Sequence, residues 1–468
     1  MTAFIRMHLP IPADLLFLWQ VLHDAGHETL FVGGCVRDMI IGEPAHDYDL
    51  ATSARPEEVM TLFTDCIPTG IQHGTVTVIH HGRAVEVTTF RTEDQYLDNR
   101  RPDSVVFVGR VDEDLQRRDF TCNSMAYRPD RGLLDLFDGL GDLSRHCLRT
   151  VGSASARFSE DALRMLRAVR FSAQLDLIPE QSLLIAAQIQ QDRIFKLSRE
   201  RIASELSRLF CTRFPHRLEA FSGSGILRAA TAALDRPVGR EEDLVSLLIQ
   251  ILPGQTNPTA LPPNLCIPAG ILAILLSEKS GEEAAEVLQP ARQQHYIRAL
   301  RLDLVHNARF SSRVASEGVA MLMAIATLLD STEMPVHVRV RTAAARIRSA
   351  CLIEPDEARS LVMHVSAILR LLLERTDPRR WSGFPPGHAD SAAIWEAARK
   401  MRDDHDVIAI TELPVCGRDL IRLGAKPGRP LGHLLDSLLK MAIESREPLS
   451  RETLLATAGA RLEFIRDL

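Results

Sequence analysis

The chain is poor in aromatic residues: Phe, Trp and Tyr make up 5% of 468 residues. Proteins that hold single-stranded nucleic acid stack bases on aromatic rings, so stacking platforms cannot be numerous here. Lysine is scarce, and arginine carries most of the positive charge. Arginine forks onto phosphates and base edges in a defined geometry, which favours positioned contacts over diffuse attraction. An excess of positive charge is also absent. The formal net charge is -6, which argues against coating nucleic acid by bulk attraction but leaves room for a local basic groove. The eight cysteines are scattered with no C-x-x-C pair, so neither a zinc site nor a disulfide framework is signalled. No N-terminal apolar stretch has signal-peptide flanks, and no run approaches the ~18 apolar residues of a membrane span. A cytoplasmic protein without membrane contact is expected.

What is present is ordinary for a soluble globular protein: 46% hydrophobic and 25% charged residues. At ~100–200 residues per domain, the length predicts several domains.

The most informative stretch is Phe31 to Leu50, FVGGCVRDMIIGEPAHDYDL. It reads as strand, Gly-Gly turn, short helix from Val36 to Ile41, loop and second strand. Gly33 and Gly34 let the backbone turn tightly and approach a ligand. The free N–H groups of a helix start suit phosphate. Asp47 and Asp49 follow, two apart, and on a strand they would share a face. Such a pair repels itself unless a cation sits between, and hard divalent ions take oxygen ligands. A phosphate cradle beside a metal-holding Asp pair is the equipment for nucleotidyl transfer. A lone Gly-Gly is usually a turn and a lone Asp-x-Asp usually a solvated loop; their order in one strand-turn-helix-strand context is what carries the reading.

Around this stretch, Ala13 to Ala25 reads as a helix burying Leu15, Leu16, Trp19 and Leu22, between Pro12 and Gly26. Pro56 opens another helix. Strands are predicted at Cys66 to Pro68, Gly74 to His80 and Ala84 to Phe90, the last two joined at His81-Gly82. In the last strand Glu86 and Thr88 lie opposite Val85, Val87 and Thr89, so Glu86 is either a third carboxylate near the Asp pair or a solvent-facing residue. Arg91 to Ser104 reads as a mobile loop. Arg117, Arg118 and Asp119 read as a charged helix end or as a triphosphate contact. Ser159 is expected to cap a helix carrying Glu160 and Asp161 in its first turn, with Arg164, Arg167 and Arg170 fanned across one side. Asp161 and Arg164, three apart, read most simply as a helix-surface ion pair.

Beyond about residue 175 the pattern is helix after helix with no repeat. Ile251 to Pro268 is Pro-rich and reads as a long connection. The tail, Leu413 to Gly432, reads as a turn, a short helix, a Pro-Gly turn and a final helix from Leu431. His405-Asp406 reads as part of a solvated charge cluster.

Taken together, GGCVRD (33–38), DYDLATSARPEEV (47–59), HGTVTV (73–78), EVTTFR (86–91), RRPDSV (100–105), RRDFTCNSMAY (117–127) and EDALRMLRAVRF (160–171) resemble the class II CCA-adding enzymes. These are bacterial tRNA nucleotidyltransferases, close relatives of bacterial poly(A) polymerases. The resemblance is dense from about residue 30 to 175 and returns weakly at Leu413 to Leu435. It implies an α+β chain: a nucleotidyltransferase (polymerase-beta-like) mixed-sheet head over residues 1–150, then an all-α neck (151–220) with a nucleotide-selecting helix, body (221–370) and tRNA-binding tail (371–468). It implies Asp47 and Asp49 as the metal carboxylates, and Gly34, Arg37, Arg118, Asp161, Arg164, Arg167 and Arg170 at the nucleotide. The residues themselves add Mg²⁺ as the ion, Glu86 as a candidate third catalytic acid and Gly33 in the turn at the nucleotide. Substrates would be tRNA, CTP and ATP.

Physical chemistry makes independent sense of the selecting residues. Cytosine and adenine both present an amino donor beside a ring-nitrogen acceptor, whereas uracil and guanine present a carbonyl beside an N–H. An Asp acceptor and an Arg donor held together match the first pair and leave buried groups unpaired against the second. Rival readings are a poly(A) polymerase, an enzyme adding only the terminal A, and a tRNA-binding protein without catalysis. Thr69 to Thr75 (TGIQHGT) resembles the CCA-adding form. Whether the chain forms a homodimer is not legible.

Overall fold

The computed structural model describes residues 4–45, 47–93, 105–252, 266–277, 300, 302–328, 334–351, 354–375 and 391–466. They form two compact units, Met1–Ala233 and Leu234–Leu468.

The first unit is built on a seven-stranded mixed sheet. Its strands are β1 (Thr29–Val32), β2 (Asp49–Thr52), β3 (Cys66–Gly70), β4 (Thr75–His80), β5 (Arg83–Thr89), β8 (Met125–Arg128) and β9 (Gly132–Asp135), in the spatial order β3-β4-β5-β2-β1-β8-β9. Only β2 and β5 run parallel; every other neighbour pair is antiparallel. The β4–β5 hairpin turns at His81 (φ 49°) and Gly82 (φ 76°), the two positive values a tight two-residue turn requires. Small strand pairs stand apart from the sheet: β6 (Arg91–Glu93) with β7 (Val105–Phe107), and β10 (Cys147–Leu148) with β11 (Ile178–Pro179).

Side-chain alternation decides the layers. Phe31, Leu50, Val76, Val78, Val85, Val87, Met125 and Tyr127 point to one face, which α1 (Ala13–Asp24), α2 (Gly34–Ile40) and α3 (Pro56–Leu62) cover. Leu30, Val32, Ala51 and Ala126 point to the other, where Val111 and Leu115 of α4 (Val111–Gln116) pack. By the same alternation Asp49, Glu86, Thr88, Thr75 and Thr77 belong to this second face. A short α5 (Gly139–Ser144) follows the sheet, then α6 (Ala154–Glu160), α7 (Leu163–Leu175), α8 (Gln181–Gln190), α9 (Arg199–Phe210) and α10 (Ile226–Ala233).

The second unit is helical among its described residues. Ser312–Leu328 packs on Val336–Cys351, and Pro355–Arg375 on Ser391–Asp403. A separate apolar cluster of Leu413, Val415, Leu420, Leu434, Leu438 and Leu454 holds the tail.

Several expectations are corrected. On α1 it is Leu18, with Leu15, Trp19 and Leu22, that is buried; Leu16 is half-buried. Arg91–Glu93 are strand, paired with β7, and 94–104 of the expected loop lie outside the described residues. Cys266–Pro268 begin a helix, and the rest of that connection, 253–265, is likewise outside them. The tail helix starts at Arg429, with Gly428 (φ 98°) before it and Pro430 in its first turn, and a further helix, Arg451–Arg466, follows. Asp406 is not solvated: Arg341 donates to it at 2.7 Å, both side chains being largely buried.

Candidate active site

A cleft of about 740 Å3 opens on the second face of the sheet. Gly33, Gly34, Arg37, Asp47, Asp49, Glu86, Arg118, Asp161, Arg164, Arg167 and Arg170, the eleven residues singled out in the sequence, all line it.

Its floor is the sheet. Val32, Asp49, Glu86 and Thr77 stand opposite one another on β1, β2, β5 and β4, forming one row across four strands. Glu86 is therefore the strand neighbour of Asp49. Asp49 opens β2, whereas Asp47 precedes the strand, so the two acids do not share a regular strand face. Among the described residues the three carboxylates have no hydrogen-bond or ion-pair partner. Burial, with the neighbouring charge of Glu86 and then Asp47, raises the Asp49 carboxyl to about 6, against the pull of Arg118.

At one end of the row the chain turns at Gly33 (φ 76°) into α2. A Cβ there would meet Arg118 Nη1 at 2.9 Å, so the missing side chain is what lets the guanidinium lie over the turn. Arg118 donates to Asp114 at 3.1 Å, and Arg117 to the same buried carboxylate at 2.6 Å. Arg37 is buried, held by Asp38 (2.7 Å) and the Asn123 side-chain carbonyl.

The far wall comes from Asp161 with α7 and α9, and here the expected helix is overturned. Ser159 lies inside α6 rather than capping a helix. Asp161 sits in the break between α6 and α7 with extended backbone (φ -144°, ψ 109°). Its Oδ1 accepts the Leu163 N–H at 3.0 Å, and its Oδ2 accepts Arg201 at 2.6 Å. A short acidic side chain that captures a backbone N–H two residues on competes with helical continuation, which accounts for the break. Asp161 and Arg164 are consequently not an ion pair. Arg164 is buried, and donates to Glu160 and to the carbonyls of Arg157 (3.2 Å) and Arg117 (3.0 Å).

Arg167 donates to Asp119 at 2.7 Å, and Arg170 to Glu205 at 2.7 Å. Asp119 thus pairs with Arg167, not with its neighbour Arg118. Burial alone would raise the Asp119 carboxyl. Arg167, the Asn123 amide and the Phe120 N–H outweigh it and bring it down to about 2. Three guanidiniums, of Arg37, Arg167 and Arg170, lie 5.4, 5.0 and 4.0 Å from the centre of the Phe171 ring. Arg118 Nε and Arg201 Nη1, buried in this lining, have no hydrogen-bond partner. Unsatisfied buried donors are uncommon, and they suit a wall built for an anion or a polar base edge.

Sequence reasoning passed over Asn123, Phe171, Arg201 and Glu205. Arg201 and Glu205 are four apart on α9, a spacing that advertises an intrahelical pair, yet their partners are Asp161 and Arg170 on other elements.

Among the described residues no group of three His, Cys, Asp or Glu forms a ready metal cage. The donor set nonetheless fits Mg²⁺, which is held by one or two carboxylates and completes its shell with water and substrate phosphate.

Residues 29–149 match the poly(A) polymerase head domain family. A CCA-adding enzyme of Lactobacillus delbrueckii subsp. bulgaricus is 54% identical over 190 residues, 41% of this chain and 48% of that protein. One of Latilactobacillus sakei subsp. sakei is 43% identical over 261 residues, 53% of this chain and 66% of that protein. The crystal structure of the Bacillus stearothermophilus CCA-adding enzyme in complex with CTP superposes with a TM-score of 0.66 at 26% identity, covering 97% of this chain and 98% of that one. Residues 29–149 thus carry a poly(A) polymerase head domain, and the chain as a whole is similar in fold to the CCA-adding enzymes. The region matched spans about half the length of the first curated relatives. No helix among the described residues is long and apolar enough to cross a membrane.

Proposed function

We propose that the protein adds C and A to the 3′ end of tRNA from CTP and ATP, without a nucleic-acid template, releasing pyrophosphate. One observation carries the reading: the Gly33-Gly34 turn with Arg37 and Arg118, the acids Asp47, Asp49 and Glu86, and the pair Asp161 and Arg164 line a single cleft. Arg118 and Arg37 hold the triphosphate beside the turn. The primer's 3′-hydroxyl attacks the α-phosphorus, and pyrophosphate departs in line. Asp47 and Asp49 would hold Mg²⁺, which would supply acidification of the hydroxyl and charge stabilisation of the transferring phosphoryl group.

Selection falls to Asp161 and Arg164. A carboxylate offers about four lone-pair sites, and Asp161 uses two of them on Leu163 and Arg201, leaving acceptors for the amino group of C or A. The backbone carbonyls of Arg117 and Arg157 fix Arg164 and leave it donors for the ring nitrogen. Uracil and guanine would set donor against donor and acceptor against acceptor. A cytosolic location accords with described cysteines that are all free thiols.

The test is one assay: purified protein, Mg²⁺, labelled CTP or ATP, and tRNAs lacking their last three, two or one nucleotides. Incorporation of C on the shortest tRNA followed by a single A supports the reading. Use of ATP alone on tRNA ending in CC marks an A-adding enzyme, long A runs mark a poly(A) polymerase, and binding without incorporation marks a tRNA-binding protein.

A further inference from the structure

The acid row has two flanks, and the nucleotide accounts for only one. From Asp49 towards β1 and β8 lie Gly33, Arg118, Arg37 and Asn123, the cationic flank. From Asp49 towards β5 and β4 lie Glu86 and then, one strand pair further along the same face, Thr88 opposite Thr75. Neighbouring strands are about 4.8 Å apart, so the β1 and β5 flanks stand on opposite sides of Asp49, each one strand spacing away. In-line displacement requires the attacking oxygen to approach opposite the leaving pyrophosphate. A triphosphate on the Gly33 flank therefore leaves the Glu86–Thr88 flank for the primer.

That flank has a chemistry of its own. Thr75 and Thr88 both line the cleft and are half-buried, and their hydroxyls meet at 3.1 Å. Thr77, in the acid row itself, is buried and paired with Thr69 at 2.8 Å, so it is withdrawn from the cleft. Two hydroxyls that bond each other retain one donor and further acceptors, the complement of a sugar hydroxyl. Arg91, which donates to the His73 carbonyl just before β4, lines the cleft too, so a phosphodiester leading away from that sugar meets positive charge.

We infer that Thr75 and Thr88 form the subsite for the terminal ribose of the RNA primer and read its 2′-hydroxyl, the group that distinguishes RNA from DNA at a single position. The inference rests on the proposed transfer reaction and names the part of the site that takes the primer. The reacting bonds are unchanged: the primer 3′-oxygen bonds to the α-phosphorus, the bond to pyrophosphate breaks, and the hydroxyl proton goes to solvent.

The experiment compares Thr88→Val, Thr88→Ser and wild type on tRNA lacking CCA, ending either in a ribonucleotide or in its 2′-deoxy counterpart. KM for primer and for CTP are measured separately, with thermal unfolding alongside. Wild type is expected to prefer the ribo-ended primer about tenfold, the size of one hydrogen bond. Thr88→Val, which keeps the β-branched shape, should lose that preference by raising KM for the ribo-ended primer while KM for CTP stays put. Thr88→Ser should keep it. An unchanged ribo-to-deoxy ratio in Thr88→Val, an equal loss on both primers, or a shift in KM for CTP instead would overturn the subsite. Wild-type protein that transfers nothing to any primer would overturn the transfer reading itself.

Discussion

The acid row on the sheet and the arginine row on α7 face each other across one cleft, yet their charges are treated in opposite ways. Asp47, Asp49 and Glu86 have no cationic partner within the described structure, and Asp49 is raised to about 6 by burial and by its neighbours. Arg164, Arg167 and Arg170 are each tied to an acid: Glu160, Asp119 and Glu205. Like charges left uncompensated cost stability and are tolerated where a ligand of opposite sign completes them. Charges already compensated hold a wall in shape. The difference teaches that a charged motif is read less by its residue types than by whether the fold has neutralised it.

Three substitutions test that contrast, beginning with the strongest. Asp49→Asn should lower nucleotide transfer by about three powers of ten or more, the scale of losing metal-assisted stabilisation of the transition state. Its thermal midpoint should stay level or rise, because the change relieves a crowded negative cluster. A clear fall in the midpoint would mean that the acids are framework after all.

Glu205→Leu should do the reverse. Glu205 is buried and holds Arg170 at 2.7 Å, with Arg208 and Arg167 at 3.7 and 3.9 Å. Stranding a buried guanidinium costs about 3–5 kcal/mol, and replacing both partners with apolar residues recovers much of it. Urea unfolding of Glu205→Leu against Glu205→Leu/Arg170→Met measures this, and equal loss in the two would remove the ion pair as the cause.

The smallest effect is at Asp119. Its folded carboxyl is held at about 2 against an ordinary 3.8. A depressed acid contributes stability above its unfolded pKa and loses it as pH falls towards the folded value. Asp119→Asn should therefore cost about 2 kcal/mol at pH 7, and the gap from wild type should close between about pH 4 and pH 2. A pH-independent gap in urea titrations would point to packing and not to charge.

Much of the head was legible because its signals are local. The Gly33-Gly34 turn, the hairpin at His81-Gly82 and the alternation of Val85, Glu86, Val87 and Thr88 all follow from backbone preferences within a few residues. The break at Asp161 was not, although its cause is short-range. The same Asp can head a helix by residing in its first turn or by capping it from outside, and spacing does not separate the two. The pairing of the arginines was illegible for a stronger reason. Arg167 meets Asp119 from 48 positions away, and Arg170 meets Glu205 from 35.

Sequence alone determined the main turns, strands and helices of the head and which side chains there are ionisable, since turn geometry, side-chain period and ionisable groups are properties of short stretches. Only the tertiary structure decided that Glu86 stands beside Asp49, that Asp161 answers to Arg201 instead of Arg164, and that two threonines lie across the acids from the Gly33-Gly34 turn. Those relations arise where strand register and helix packing bring distant segments within a hydrogen bond of each other, and nothing in a local window encodes a distance across a sheet.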